Sequence, residues 1–385
     1  MGIEQIDKNF KPCSISSTDL TWYNGSECPF SVCGVYFDKE QNSFLRFPLE
    51  EGRKIGTGYL VYADATCSGR IRFATNSDKI ALHIEAKIAD GVLPTASFMN
   101  YYGVSVYCND RFVGKVMPQP KDVIEVANQK GFGFFAGPVT AELRMQEFAQ
   151  GKNRVVFEGE INLKSQDDIK QITLFLPLYG GVKQVMVGVK DGCKVLSPTP
   201  YKYDKYVAFY GSSITQGGCC SRPGLDYISW LSRMLDTDVY NFGLTGSAKG
   251  EKTACEFLAK LDPSVYFIDY DYNAETVQDL DKTHFPLYQT IRNAHPNTPI
   301  VFASRVGAGF FPDEYQQRIE VIKNTVNKAI EKGDKNVYFI DGSKIFPPEI
   351  EGDCTIDCCH PNDLGFKLMA DAFYPTLKEI LDKTL

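Results

Sequence analysis

Val207-Ala208-Phe209-Tyr210-Gly211-Ser212-Ser213-Ile214-Thr215-Gln216-Gly217-Gly218 is the stretch on which the reading of the fold turns. Four apolar residues, Val207 to Tyr210, read as a buried strand that stops at Gly211. Two serines follow before the next glycines. In an α/β sheet that place is the carboxyl end of a strand, where ligands bind, and a serine there presents its hydroxyl beside backbone N–H groups. Near the other end of the chain stands Asp357-Cys358-Cys359-His360. The spacing predicts a helical turn with the carboxylate and the imidazole on one side, so that the acid orients the base. Serine, histidine and aspartate together are the parts of a nucleophilic acyl-transfer site, in a chain that holds only 4 histidines.

The rhythm around the first stretch is strand, helix, strand. Buried-looking strands are expected at 206–210, 239–242, 265–270, 300–303 and 337–340. Helical segments are expected near 224–236, 251–261, 283–294 and 313–332, with a last one near 362–383. Five strands alternating with helices call for a parallel sheet covered on both faces. Up to about residue 200 the chain reads instead as short strands and turns. Ile80, Leu82, Ile84 and Ala86 alternate with Ala81, His83, Glu85 and Lys87. Gly103 to Cys108 enters an Asn109-Asp110 turn and leaves through Arg111-Phe112-Val113 as a hairpin. That half is expected to be an all-β, jelly-roll-like sandwich over residues 1–200, and the second half a flavodoxin-like three-layer domain over 201–385. Ser197-Pro198-Thr199-Pro200 is the expected linker.

Composition narrows the function. A net charge of −7 and the absence of any Lys/Arg run longer than two exclude the basic footprint of a nucleic-acid binder. No run of 18 apolar residues marks a membrane span. Met1 to Lys8 show no basic segment leading into an apolar core, so no secretory signal and a cytoplasmic location are expected. The 12 cysteines include two adjacent pairs, Cys219-Cys220 and Cys358-Cys359, and are expected to be reduced. Cys354, Cys358, Cys359 and His360 lack the Cys-x2-Cys pairs of structural zinc, so no metal is expected, and no cofactor. Gly211 to Gly218 and Gly243 to Gly246 lack the Lys-Ser/Thr of a phosphate loop, and no Gly-x-Gly-x-x-Gly follows a strand.

Further groups are expected at the strand ends. Asn241-Phe242-Gly243-Leu244-Thr245-Gly246 follows the second strand, and Asp269-Tyr270-Asp271-Tyr272-Asn273 follows the third. Acyl transfer needs preorganised donors where negative oxygen develops. The Ser213 N–H, the Gly243 N–H and the Asn273 amide are expected to form that oxyanion hole.

The order Gly-Ser-Ser-Ile-Thr, Asn-Phe-Gly, Asn273 and Asp-x-x-His-Pro resembles the SGNH, or GDSL-like, hydrolases over residues 204–385. The resemblance implies Ser213 as nucleophile, Asp357 and His360 as acid and base, and Gly243 and Asn273 as oxyanion donors. The chain departs from the family pattern where Ser212 stands for the aspartate before the nucleophile, and where Gly-x-Asn-Asp reads Asp271-Tyr272-Asn273-Ala274. The front half is similar to bacterial two-domain members in which a sandwich precedes the hydrolase. The implied activity is that of a serine esterase acting on short, acetyl-like esters of a carbohydrate or small metabolite, with no nucleic-acid or membrane partner. Alternatives are an acyltransferase using the same residues, or an inactive glycan-binding protein. Tyr101, Tyr102 and Tyr107 stand as core residues or as sugar-gripping aromatics.

Overall fold

The computed structural model describes residue 6 and residues 13–88, 95–129, 154–310 and 312–384. Two compact units emerge. The first is Met1–Leu45, Asp64–Val92 and Phe98–Thr199, and the second is Arg46–Ala63, Leu93–Ser97 and Pro200–Leu385. The division near residue 200 follows the expected linker. The short stretches that join the second unit from within the front half were not expected.

Among the described residues from 13 on, the first unit is all-β apart from two helices, Phe98–Tyr102 and Pro120–Gln129. Its strands are β1 (Leu20–Asn24), β2 (Ser31–Cys33), β3 (Tyr36–Asp38), β4 (Ser43–Leu45), β5 (Arg70–Thr75) and β6 (Lys79–Lys87). They continue with β7 (Val104–Cys108), β8 (Arg111–Val116), β9 (Arg154–Asn162), β10 (Lys170–Phe175), β11 (Val182–Lys190) and β12 (Val195–Leu196). One antiparallel sheet has the order β1-β11-β6-β9. The other runs β12-β5-β10-β7-β8, with β2 on β5, and β3-β4 form a separate pair. The alternation along β6 holds at Ile80, Leu82, Ile84 and Ala86, which are buried, and at His83 and Glu85, which are half-buried, but Ala81 and Lys87, expected on the polar face, are buried as well. The β7–β8 turn sets both Asn109 (φ 48°) and Asp110 (φ 60°) in the left-handed region, as a two-residue hairpin of the primed type requires. Tyr101, Tyr102 and Tyr107 are buried core residues: Tyr101 stacks on Tyr179, and Tyr107 meets Phe175 edge-on. No face of theirs is left for a sugar.

The second unit is built on β13 (Val207–Gly211), β14 (Val239–Gly243), β15 (Val265–Asp269), β16 (Ile300–Ala303) and β17 (Val337–Ile340). All pairings are parallel, in the order β14-β13-β15-β16-β17. Its helices are α1 (Leu49–Ile55), α2 (Thr57–Tyr62), α3 (Ser213–Gln216), α4 (Tyr227–Leu235), α5 (Lys252–Leu258), α6 (Val277–Ala294), α7 (Pro312–Glu331) and α8 (Asp363–Asp382). Strands β13, β15 and β16 are buried along their whole length and β14 everywhere but Tyr240, because alternate residues face opposite helical layers. Phe209 meets Tyr227 of α4, and Phe267 meets Phe373 of α8. On the other face Ala208, Tyr210, Ile268 and Phe302 join one cluster with residues of α5, α6 and α7. Phe47 and Tyr59, from the stretch that holds α1 and α2, are in that cluster too. Helix α6 begins at Val277, a turn and a half before the expected 283, because Thr276 caps it by accepting the Asp279 N–H.

Chain order 2-1-3-4-5 across this sheet places the reversal of strand order beside β13. The crevice outside the carboxyl ends of β13 and β15 is then the expected ligand position in an open α/β sheet.

Among the described residues no helix is long and apolar enough to cross a membrane, and no disulfide is present.

Candidate active site

Strand β13 delivers the chain to the site at Gly211. A Cβ there would lie 2.0 Å from Thr215 Oγ1 and 2.1 Å from Asp269 Oδ1, so only glycine lets the turn close. Ser212 is the N-cap of α3: its Oγ accepts from the Ile214 N–H (3.1 Å), and its own N–H donates to Thr215 Oγ1 (2.9 Å). Thr215 Oγ1 in turn donates to Asp269 Oδ1 (2.7 Å), whose Oδ2 accepts from Tyr227 OH (2.8 Å). Burial pushes the Asp269 carboxyl up to about 8, against the pull of the Thr215 and Tyr227 donors. Ser213 is the first residue of α3, so its N–H has no acceptor inside the helix. Its Oγ lies 2.8 Å from His360 Nε2.

The other ring nitrogen, His360 Nδ1, lies 2.8 Å from Asp357 Oδ2. The structure therefore brings Ser213, His360 and Asp357 into one hydrogen-bonded line. The segment carrying the last two is not the helical turn expected. Residues 356–360 form a bend closed by a bridge between Thr355 and Pro361. The reason lies in the aspartate itself: Asp357 Oδ1 accepts from the N–H groups of Cys359 (3.1 Å) and His360 (2.7 Å), an Asx-type turn that competes with helix. Cys358 consequently sits at φ 62°. Partial burial opposes ionisation of Asp357, but the hydrogen bonds from His360 and Cys359 outweigh it and hold the carboxyl below its ordinary value.

Gly243 does not occupy the expected donor position. It is still inside β14, and its N–H is committed to Asn241 Oδ1 at 2.8 Å. A Cβ on Gly243 would lie 2.3 Å from the Gln216 nitrogen, so this glycine serves the close approach of β14 and α3. The loop beyond is fixed at nearly every polar group. Leu244 N–H donates to Gly211 O (2.9 Å), Thr245 N–H to Gln216 Oε1 (3.0 Å), and Leu244 O accepts from Asn273 Nδ2 (2.9 Å). The Gly246 N–H alone in this run meets no acceptor among the described residues. Gly246 has φ 64°, and a Cβ there would meet nothing within 4 Å. Asn273 sits in the short helical turn after β15, as read, and keeps a second amide hydrogen beyond the one given to Leu244. Asn241, which the sequence reading passed over, ties the loop together: its Nδ2 donates to Thr215 O (2.8 Å) while its Oδ1 holds Gly243. An asparagine two residues before the strand-end glycine was the available signal.

Cys219, Asp357 and His360 each offer a ligand atom within 4.8 Å of the others. Burial pushes the Cys219 thiol up to about 11, partly offset by its hydrogen bond with Thr95, and a neutral thiol is a poor metal ligand. The aspartate and imidazole are already engaged with each other. The set fits an acid–base relay better than a metal. Cys354, Cys358 and Cys359 form no such group with His360 among the described residues.

Residues 204–378 match the GDSL-like lipase/acylhydrolase family. No curated protein matches the chain. Among solved structures, a Bacteroides ovatus protein assigned as a GDSL-like lipase is 25% identical, with a TM-score of 0.72 over 94% of this chain and 98% of that one. A salicylyl-acyltransferase from a tetracycline biosynthetic pathway is 15% identical, with a TM-score of 0.71 over 94% and 98%. A family two carbohydrate esterase from Clostridium thermocellum, in complex with cellohexaose, is 12% identical, with a TM-score of 0.58 over 92% and 99%. The last two likenesses are of fold.

Proposed function

We propose that this chain, a carboxylic ester hydrolase whose residues 204–378 belong to the GDSL-like lipase/acylhydrolase, or SGNH, family, removes short acyl groups, acetyl above all, from a carbohydrate or small metabolite. The observation that carries the reading is the Ser213–His360–Asp357 line, closed by two contacts of 2.8 Å. His360 Nε2 takes the proton from Ser213 Oγ as that oxygen attacks the ester carbonyl, and Asp357 holds the ring and its developing charge. The Ser213 N–H, the Gly246 N–H and the Asn273 amide receive the negative oxygen of the tetrahedral intermediate. Collapse expels the alcohol, protonated by His360. Water then enters on the same base, and the acyl-enzyme is hydrolysed through the same intermediate in reverse.

Support for a short acyl group comes from the nucleophile loop. Gly217 and Gly218 are small, Cys219 and Cys220 are buried, and the apolar residues of the neighbouring helices are spent in the two core layers. A long chain needs an apolar groove, with each buried methylene contributing about 0.8 kcal/mol. The carbohydrate esterase fold neighbour supports a sugar as the alcohol. The acyltransferase neighbour supports a second outcome from the same residues, in which an alcohol replaces water at deacylation.

The test is kcat/KM on p-nitrophenyl esters from acetate to decanoate and on acetylated sugars, with and without added alcohol acceptors. The expected result is a maximum at acetate and water as the preferred acceptor. A maximum at eight carbons or longer, or inactivity toward every acetyl ester, would refute the short-chain reading. Faster turnover with acyl transfer to the added alcohol would establish the transferase instead.

A further inference from the structure

Arg46 is a buried cation that the reaction outlined above leaves unused. It is 2% exposed, and among the described residues no carboxylate lies within ion-pair distance of it. All of its hydrogen bonds go to backbone carbonyls. Nη1 donates to Asn241 O (2.9 Å) and Gly243 O (2.7 Å), while Nε and Nη2 donate to Tyr62 O (3.1 and 2.7 Å) at the end of α2. Guanidinium stays protonated in any protein environment, so a full charge is held here without a counterion.

The topology explains what the charge is attached to. Among the described residues β14 is the edge of the parallel sheet and pairs only with β13. Along a strand, alternate residues turn their N–H and C=O to opposite sides. Leu244 gives its N–H to Gly211 of β13, so Asn241 and Gly243 face the open edge. Their carbonyls would be orphaned there. Arg46 takes both, and the Asn241 side chain takes the Gly243 N–H. The same guanidinium is tied through Tyr62 O to the C-terminal end of α2, where helix carbonyls favour a cation. The anchored carbonyl of Gly243 comes three residues before Gly246, at the start of the loop in which the Gly246 N–H alone is uncommitted among the described residues.

We infer that Arg46 is a positioning residue for catalysis: it locks the edge of β14 and thereby the direction of the Gly246 N–H and the Asn273 amide toward the reacting oxygen. This rests on the esterase reading above, and it places a requirement for turnover in a stretch of chain that precedes Pro200 by more than a hundred residues.

The test is a comparison of Arg46→Lys and Arg46→Met in the full chain, with near-UV circular dichroism as the check of folding. Lysine keeps the charge but presents a single ammonium that cannot span Asn241, Gly243 and Tyr62 together. The expected result is a kcat lowered about ten- to a hundredfold for methionine and less for lysine, with KM for p-nitrophenyl acetate within about twofold of the parent. The inhibition constant of a trifluoromethyl ketone, whose adduct carries the oxyanion, should weaken by the same factor as kcat. Combined with Asn273→Ala, the losses should be less than additive, because both act on one loop. A structural role alone would lower Tm without moving the kcat-to-KM split or the inhibitor. A folded Arg46→Lys with parental kcat, a loss confined to KM, or additive losses with Asn273→Ala would overturn the inference; if Arg46→Met fails to fold, the lysine variant decides. Ser213→Ala separates the two readings. If that variant turns over normally, the esterase mechanism falls; if it is inactive while Arg46→Lys is unimpaired, only the role of Arg46 falls.

Discussion

Ser212→Ala and Ser213→Ala should differ far more in activity than two adjacent serines would suggest. Ser212 is fully buried, and its Oγ is occupied as the cap of α3, accepting from the Ile214 N–H at 3.1 Å. Alanine deletes that acceptor and leaves a buried N–H unsatisfied, at a cost of about 1–3 kcal/mol. The second bond of the capping box survives, because it runs from the Ser212 backbone to Thr215 Oγ1. If the whole cost were borne in the transition state, at about 1.36 kcal/mol per tenfold, kcat/KM would fall by about 5- to 150-fold. That range is a ceiling, since part of the cost is shared by the ground state. Ser213→Ala removes the atom that lies 2.8 Å from His360 Nε2 and should lose at least about a thousandfold. The assay is p-nitrophenyl acetate turnover beside urea unfolding, with mass mapping of a fluorophosphonate adduct. Losses of equal size, or the adduct on Ser212, would refute the assignment of the nucleophile.

The two glycines of the β14 loop should part company. Gly243→Ala should fail to give active enzyme, with a Cβ 2.3 Å from the Gln216 nitrogen, whereas Gly246→Ala should fold, with open space for the methyl and a cost of about 1–2 kcal/mol for φ 64°; the reverse order in activity and thermal melts would show the loop to be misread. His284 gives a pH signature: it is 2% exposed, its Nδ1 meets Thr325 Oγ1, and burial lowers its pKa to about 3. Its folded value lies below the unfolded one, so the unfolded chain binds more protons and stability is lost as pH falls below about 6.5, by about 2 kcal/mol at pH 5. The gap in unfolding free energy between the parent and His284→Gln should therefore narrow by that amount from pH 7 to pH 5, and an unchanged gap would sink the argument.

Much of the second unit could be read from the chain because parallel strands buried on both faces are plain apolar runs. Val265 to Asp269 and Ile300 to Ala303 begin and end within a residue of their expected limits. The contact between Asp357 and His360 was legible because an acid three residues before a histidine can reach its ring. What the chain hid is tertiary. Leu49 to Tyr62 carries Gly52 in one short helix and is too brief to show a helical period. A Cβ on Gly52 would lie 3.2 Å from Leu60 Cα, so the glycine that weakens α1 is what lets α1 and α2 meet. Phe47 declares itself part of the second unit only through its neighbours Phe242 and Phe257, two hundred residues away. The choice between Gly243 and Gly246 was hidden in another way. Both follow the same strand in the same hexapeptide, and only backbone direction shows that the first N–H is spent on Asn241.

Ser212, which stands where the family pattern has an aspartate, is the cap of α3 in this fold. An aspartate before the nucleophile would put a charge at a position that is fully buried here. Ser212 caps α3 with a neutral oxygen instead, and the carboxylate beneath the turn comes from the neighbouring strand. Asp269, at the end of β15, reaches Thr215 Oγ1, and that hydroxyl holds the Ser212 N–H. The turn that carries Ser213 is thus braced from two strands, by Gly211 closing against Asp269 and by Tyr227 fixing the second carboxyl oxygen. The Thr215 and Tyr227 donors favour the ionised form of Asp269, and burial opposes it and raises its pKa to about 8. A brace of this kind resists rotation of α3, and rotation of α3 is the motion that would carry Ser213 Oγ away from His360.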